Sequence, residues 1–127
     1  MPTCFIFAEN LSINAIAPHI EQLSLPIIGT ATTFDEGFRL IMGFKPEIVF
    51  IDMIFVQRYS EELQLLKHKT SFVVISDTTA DAFAAFEFHA LDYLLKPVKY
   101  TRLIKSIEIY QSIEARFALG QKINPEI

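Results

Sequence analysis

Lys45-Pro46-Glu47-Ile48-Val49-Phe50-Ile51-Asp52 is the stretch whose reading decides the fold. Ile48, Val49, Phe50 and Ile51 are all β-branched or aromatic. The run is too short for a helix and too uniformly apolar for a strand with one wet face. It reads as a strand from Glu47 to Ile51 covered on both sides, the mark of a parallel sheet between helices. The run stops on a carboxylate.

Moving outward, similar runs occur at Thr3 to Phe7, Pro26 to Thr30, Ser71 to Ile75 and Leu91 to Leu95, separated by longer amphipathic stretches. This alternation predicts an α/β fold with right-handed crossovers. A first helix is expected around Leu11 to Leu23, with Ile13, Ile16, Ala17 and Ile20 on one face and a kink or delayed start caused by Pro18. In the second, Thr33 and Glu36 are spaced as a capping box, Phe34, Phe38, Ile41 and Met42 follow at helical spacing, and Gly43 is the expected stop. The third is expected around Ser60 to His68. Thr78 or Thr79 opens the fourth, which carries Ala82, Phe83, Ala85 and Phe86 with Phe83 facing outward, and His89 follows in a turn that tolerates positive φ. The fifth, about Tyr100 to Phe117, buries Leu103, Ile104 and Ile107, while Ile109 and Ile113 begin a second stripe that points to a partner. Residues 1–117 are read as the domain and 118–127 as a tail or linker.

The chain has 127 residues, enough for one core and little else, so any output domain is expected outside it. The net charge is -4 and no Lys/Arg stripe forms, which argues against nucleic-acid binding and for protein partners. No apolar run reaches the roughly 18 residues of a membrane span and no charged-then-apolar leader opens the chain, so a cytoplasmic location is expected. Cys4 reads as a buried small hydrophobe. His19, His68 and His89 show no metal-ligand spacing.

In doubly wound sheets, function gathers where strands end and strand order reverses. The strand-end residues are Ala8 and Glu9 after the first strand, Asp52 after the third, Ser76 and Asp77 after the fourth, and Lys96 and Pro97 after the fifth. A carboxylate at such an edge can attack a phosphoryl group to form an acyl phosphate. The charge then needs help from a divalent cation, an amine and a hydroxyl, roles that Glu9, Lys96 and Ser76 fit. Taken singly, a strand-end Asp is more often a helix cap, a Ser a turn former and a Lys a surface charge. Their joint placement carries the reading.

Ala85-Phe-Glu-Phe-His-Ala-Leu-Asp-Tyr-Leu-Leu-Lys-Pro97 and Lys45 to Asp52 resemble the response-regulator receiver domains of two-component signalling, above all those attached to LytTR-type DNA-binding domains. The resemblance spans about Thr3 to Phe117. It implies a doubly wound (βα)5 flavodoxin-like fold with strand order 2-1-3-4-5. It implies Asp52 as phosphoacceptor for a sensor histidine kinase, Lys96 as the lysine on the phosphoryl group, Ser76 as switch hydroxyl and Tyr93 as switch aromatic. Mg2+ would be held by Glu9, Asp52 and the backbone carbonyl of Ile54, and the Lys96-Pro97 bond would be cis. Phosphorylation would remodel the face made by the fourth helix, fifth strand and fifth helix, a surface suited to a homodimer, with a C-terminal DNA-binding output domain beyond this chain. No enzymatic role is implied beyond self-catalysed phosphotransfer and dephosphorylation.

The chain departs from the family in three places. Ala8 replaces one of two acids, which weakens magnesium binding. Asp77 replaces a small residue and would repel the phosphoryl dianion. Ile54-Phe55-Val56 replaces a more polar loop ending in Pro, leaving Phe55 to dock or to pack. Ala8 and Asp77 motivate an alternative, a pseudo-receiver kept for interaction or dimerisation without phosphorylation. A flavodoxin-like cofactor binder is disfavoured, because Ala8 to Ser12 places a carboxylate where a phosphate would sit.

Overall fold

The computed structural model describes residues 1–67 and 69–123, with side chains described as far as Leu119; His68 and residues 124–127 of the expected tail lie outside it. Strands β1 (Cys4–Phe7), β2 (Ile27–Ala31), β3 (Ile48–Asp52), β4 (Ser71–Ser76) and β5 (Asp92–Leu95) alternate with helices α1 (Asn10–Gln22), α2 (Phe34–Phe44), α3 (Met53–Gln64), α4 (Ala82–Glu87) and α5 (Tyr100–Ile123). They form one parallel sheet in the order β2-β1-β3-β4-β5. The α/β reading and its strand order are therefore correct.

Because successive side chains on a strand point to opposite faces, the sheet divides the interior into two cores. On one face Ile6, Phe50, Val73 and Leu94 pack with Ile16 and Ile20 of α1 and Leu103 and Ile107 of α5. On the other, Phe7, Val49, Ile51 and Val74 pack with Ile41 of α2, Leu63 of α3 and Ala85 of α4. Cys4 is fully buried in the first core. Burial, reinforced by Glu47, pushes its thiol up to about 12.

The element boundaries bring several corrections. Helix α1 starts at Asn10 without delay and contains Pro18. Asn14 and Pro18 both lie on the exposed side, so the carbonyl that Pro18 cannot serve faces water. Gly43 does not stop α2, which continues to Phe44 before Lys45 turns left-handed at φ 53. The amide of Lys45 donates to the Ile41 carbonyl at 2.9 Å, closing the helix end that glycine was expected to close. Thr33 occupies the N-cap position of α2 but makes no side-chain capping bond.

Helix α3 begins at Met53 rather than near Ser60, with a non-helical break at Tyr59. Val56 is therefore a buried helical residue, 3% exposed, and not part of a loop. Phe55 packs on Phe7 with ring centres 4.4 Å apart, and Tyr59 stacks on Phe34 at 3.9 Å. These aromatic contacts reach across the second core, which local periodicity cannot register.

Thr78 caps a 3-10 turn, Thr79–Asp81, its side chain accepting from the Ala80 amide, before α4 proper begins. His89 has φ 62 and Phe83 is exposed, both as expected. Helix α5 passes the boundary expected at Phe117 and runs through Gly120 to Ile123. A single glycine costs a helix only about 1 kcal/mol, and no proline intervenes before residue 125. The Lys96-Pro97 bond is cis. No described helix is long and apolar enough to cross a membrane.

Candidate functional site

β1 lies between β2 and β3, so the chain leaves β1 toward one core and β3 toward the other. The crevice opened at those two strand ends holds Glu9 and Asp52, as expected of a reversal in strand order. A cavity of about 240 Å3 there is lined by Glu9, Asp52, Ile54, Asp77, Asp81 and Lys96 among others.

Asp52 is the last residue of β3 and only 2% exposed. It occupies the N-cap position of α3 but makes no capping hydrogen bond. One carboxylate oxygen, Oδ1, lies 2.9 Å from Lys96 Nζ. The other, Oδ2, accepts from the Glu9 amide at 2.9 Å. Ser12 Oγ adds a long contact of 3.5 Å to Oδ1. A buried charge without a partner is costly, and Lys96, entering from the loop after β5, supplies the opposite one. The N-terminal end of α3, beginning at the next residue, adds partial positive charge on the same side.

Ser76, the last residue of β4, is as buried as Asp52. Its hydroxyl points toward α4: Oγ donates to Asp81 Oδ2 at 2.6 Å, lies 3.2 Å from the Thr78 carbonyl, and accepts from the Thr78 amide at 3.2 Å. Tyr93 of β5 donates its hydroxyl to the same Thr78 carbonyl. Gln57 of α3 donates to Asp81 Oδ1 at 3.3 Å. Asp77 is 84% exposed in its side chain and brings Oδ1 to 3.8 Å from Lys96 Nζ. It shares the lysine with Asp52, but from solvent.

The strand-end residues Glu9, Asp52, Ser76, Asp77 and Lys96 therefore meet at one cavity. Ile54 is the second residue of α3 and borders it. Ala8 is fully buried in the first core and contributes no polar group. Ser12, Gln57, Thr78 and Asp81 also belong to the hydrogen-bonded arrangement and were not foreseen. A hydroxyl in the first helical turn after Glu9 was a usable signal for Ser12. For Asp81, four residues beyond Asp77 in a turn, the sequence offers none.

The hard oxygen donors suit a magnesium-like cation, which takes few protein ligands and keeps several waters. Glu9 and Asp52 open on the same cavity, and Asp52 retains lone pairs beyond those used by Lys96 and the Glu9 amide. Among the described residues no cluster of three or more acidic, histidine or cysteine side chains is grouped for a metal. The donor set fits, with one carboxylate fewer than a three-acid cage.

Behind the cavity, Arg102 of α5 grips Asp92 of β5 through both nitrogens at 2.8 and 2.9 Å and reaches the Tyr93 carbonyl at 3.1 Å. Ser106 donates to Asp92 Oδ2 at 2.5 Å. Burial pushes the Asp92 carboxyl up, but hydrogen bonds from Arg102, Ser106 and the Tyr93 amide outweigh it and hold the group below its ordinary value.

No family model matches the chain. A response regulatory protein of Vibrio cholerae is 38% identical over 91 residues, 69% of this chain and 38% of that protein. The transcriptional regulatory protein BtsR of Escherichia coli K12 is 34% identical, across 68% of this chain and 38% of its own length. The sensory transduction protein LytT of Bacillus anthracis is 34% identical, across 67% and 36%. The chain thus spans less than half the length of the relatives it matches. Among solved structures, a response regulator from Thermotoga maritima superposes with TM-score 0.75 at 20% identity, covering 88% of this chain and 98% of that one. The signal receiver domain of a modulated diguanylate cyclase from Desulfovibrio desulfuricans gives 0.73 at 19% identity, covering 87% and 93%.

Proposed function

The chain belongs to the response-regulator receiver family, and from that premise we propose that Asp52 accepts a phosphoryl group from a sensor histidine kinase. One observation carries the reading. A strand-end Asp at a helix N-cap position normally caps the helix, whereas Asp52 leaves the helix amides alone and is buried against Lys96 at the mouth of a cavity.

In the transfer, a carboxylate oxygen of Asp52 attacks phosphorus, the phosphorus–nitrogen bond of phosphohistidine breaks, and the departing imidazole takes up a proton. Lys96 moves its charge from the free carboxylate to the phosphoryl oxygens. Magnesium, when bound, offsets the remaining phosphoryl charge, with Glu9 and Asp52 as its proposed holders. The backbone carbonyl of Ile54, in the first turn of α3 at the border of the same cavity, is the proposed third holder. Ser76 and Tyr93 form the proposed switch, and the surface of α4, β5 and α5, where Phe83 and Phe86 stand exposed, is the proposed homodimer contact. A DNA-binding output domain in a longer protein and a cytoplasmic setting complete the reading.

Incubation of the purified chain with a small phosphodonor and magnesium, followed by intact mass measurement, tests it. One phosphoryl adduct is expected, absent from Asp52→Asn. No adduct, under conditions that modify a control receiver, overturns it. A phosphorylation-independent interaction module is the second reading, favoured by the buried methyl of Ala8 and by the Asp77 carboxylate beside Lys96.

A further inference from the structure

We infer that Asp81 is a positioning residue that holds the Ser76 hydroxyl on the α4 side of the site, so that phosphorylation must win this hydroxyl from a competing carboxylate. The inference rests on the phosphoacceptor reading and adds to it an internal competitor that sets the switching threshold.

Ser76 Oγ has one hydrogen to give, and Asp81 Oδ2 at 2.6 Å receives it in the short geometry of a charge-assisted bond. The Thr78 amide already donates to the oxygen of the same hydroxyl. The hydroxyl is thus engaged both as donor and as acceptor, and none of its hydrogen bonds goes to Asp52. Asp81 stands at the N-cap position of α4 without serving as its cap. It makes no capping bond to α4 and, among the described residues, no ion pair. Its second oxygen accepts from Gln57, which fixes the carboxylate from the α3 side.

Thr78 couples this hold to the aromatic. Its carbonyl accepts from Tyr93 and lies within reach of Ser76, so a Ser76 hydroxyl that turns toward a phosphoryl oxygen releases Asp81 and the Thr78 backbone together. Tyr93 then loses the loop conformation that supplies its acceptor. A bond made in one state and not in the other biases the equilibrium by its own free energy.

The test uses the full chain and fluoroberyllate, which mimics a phosphoryl group on a carboxylate, followed by amide and aromatic NMR. Asp81→Ala is expected to bind fluoroberyllate about tenfold more tightly, the scale of one charged hydrogen bond, with Asp81→Asn in between. In a Ser76→Ala background the gain should vanish, a coupling that a merely structural Asp81 would not show. In untreated Asp81→Ala, the Tyr93 ring signals should move toward those of fluoroberyllate-saturated wild type. Unchanged affinity with unchanged Tyr93 signals, or the same gain without Ser76, overturns the inference. If wild type takes no fluoroberyllate, the phosphoacceptor reading fails, and the untreated proteins decide the inference: a Tyr93 ring shift on Asp81→Ala that disappears in the Ser76→Ala background supports the hold of Asp81 on Ser76, and no shift overturns it.

Discussion

Asp52 and Asp92 are both poorly exposed carboxylates paired with a cation, yet their surroundings give them different work. Arg102, Ser106 and the Tyr93 amide surround Asp92 with four short bonds, leaving nothing for a ligand. Asp52 has an amine, an amide and a distant hydroxyl, and faces a cavity. The first arrangement fastens β5 to α5, and the second can react. Asp92 also sets a pH dependence. Its carboxyl is held below the ordinary 3.8, so its stabilising contribution is complete above that value and is lost as pH falls through the lower, folded-state value. Asp92→Asn should cost about 1.5–3 kcal/mol at neutral pH, on the scale of hydrogen bonds to a charged group, and should flatten the acid limb of stability. Denaturant titrations from neutral pH down through that carboxylate range check this; profiles that stay parallel contradict it. Of these residues, Asp52, Ser76 and Lys96 were legible because strand ends are fixed points of the fold. Asp81 was not, because no local pattern reports a turn carboxylate folding back five residues onto a strand.

Among the elements, the strands were readable because each is buried on both faces and so loses all alternation, as β3 shows most clearly. Helix ends were less so, since Lys45 closes α2 in a left-handed conformation that glycine more often adopts. Helix α3 was half hidden for a different reason. The residue at its N-cap position, Asp52, is spent on Lys96, and its first turn is anchored by Phe55 on a ring of β1. Helix α2 approaches the same ring through Gly37, where an added Cβ would lie 2.4 Å from Phe7 Cζ. Gly37→Ala therefore sets a helix-propensity gain of about 1 kcal/mol against overpacking of about 1–3 kcal/mol. Net destabilisation is expected because the obstructing ring is itself fully buried. Thermal unfolding measures the balance, and a raised melting temperature would show that Phe7 can yield.

For the molecule as a whole, burial among the described residues ends within α5. Tyr110 is the last buried residue among those described and donates a 2.9 Å hydrogen bond to Glu47, at the opposite end of the sheet from the reactive cavity. Residues 111–119 are exposed throughout. Ending the chain after Glu114 should shift stability by less than about 0.5 kcal/mol, as surface changes do; a larger loss in denaturant titration would mean that the outer turns are held by contacts such as those between copies. Cys4 has a practical corollary. It is the chain's single cysteine, fully buried with its thiol held near 12, so at neutral pH it is neither reachable nor ionised. Cysteines introduced on the surface would be the only attachment points for fluorophores or spin labels, and a pair of them can follow distances across the switch without first rebuilding the core.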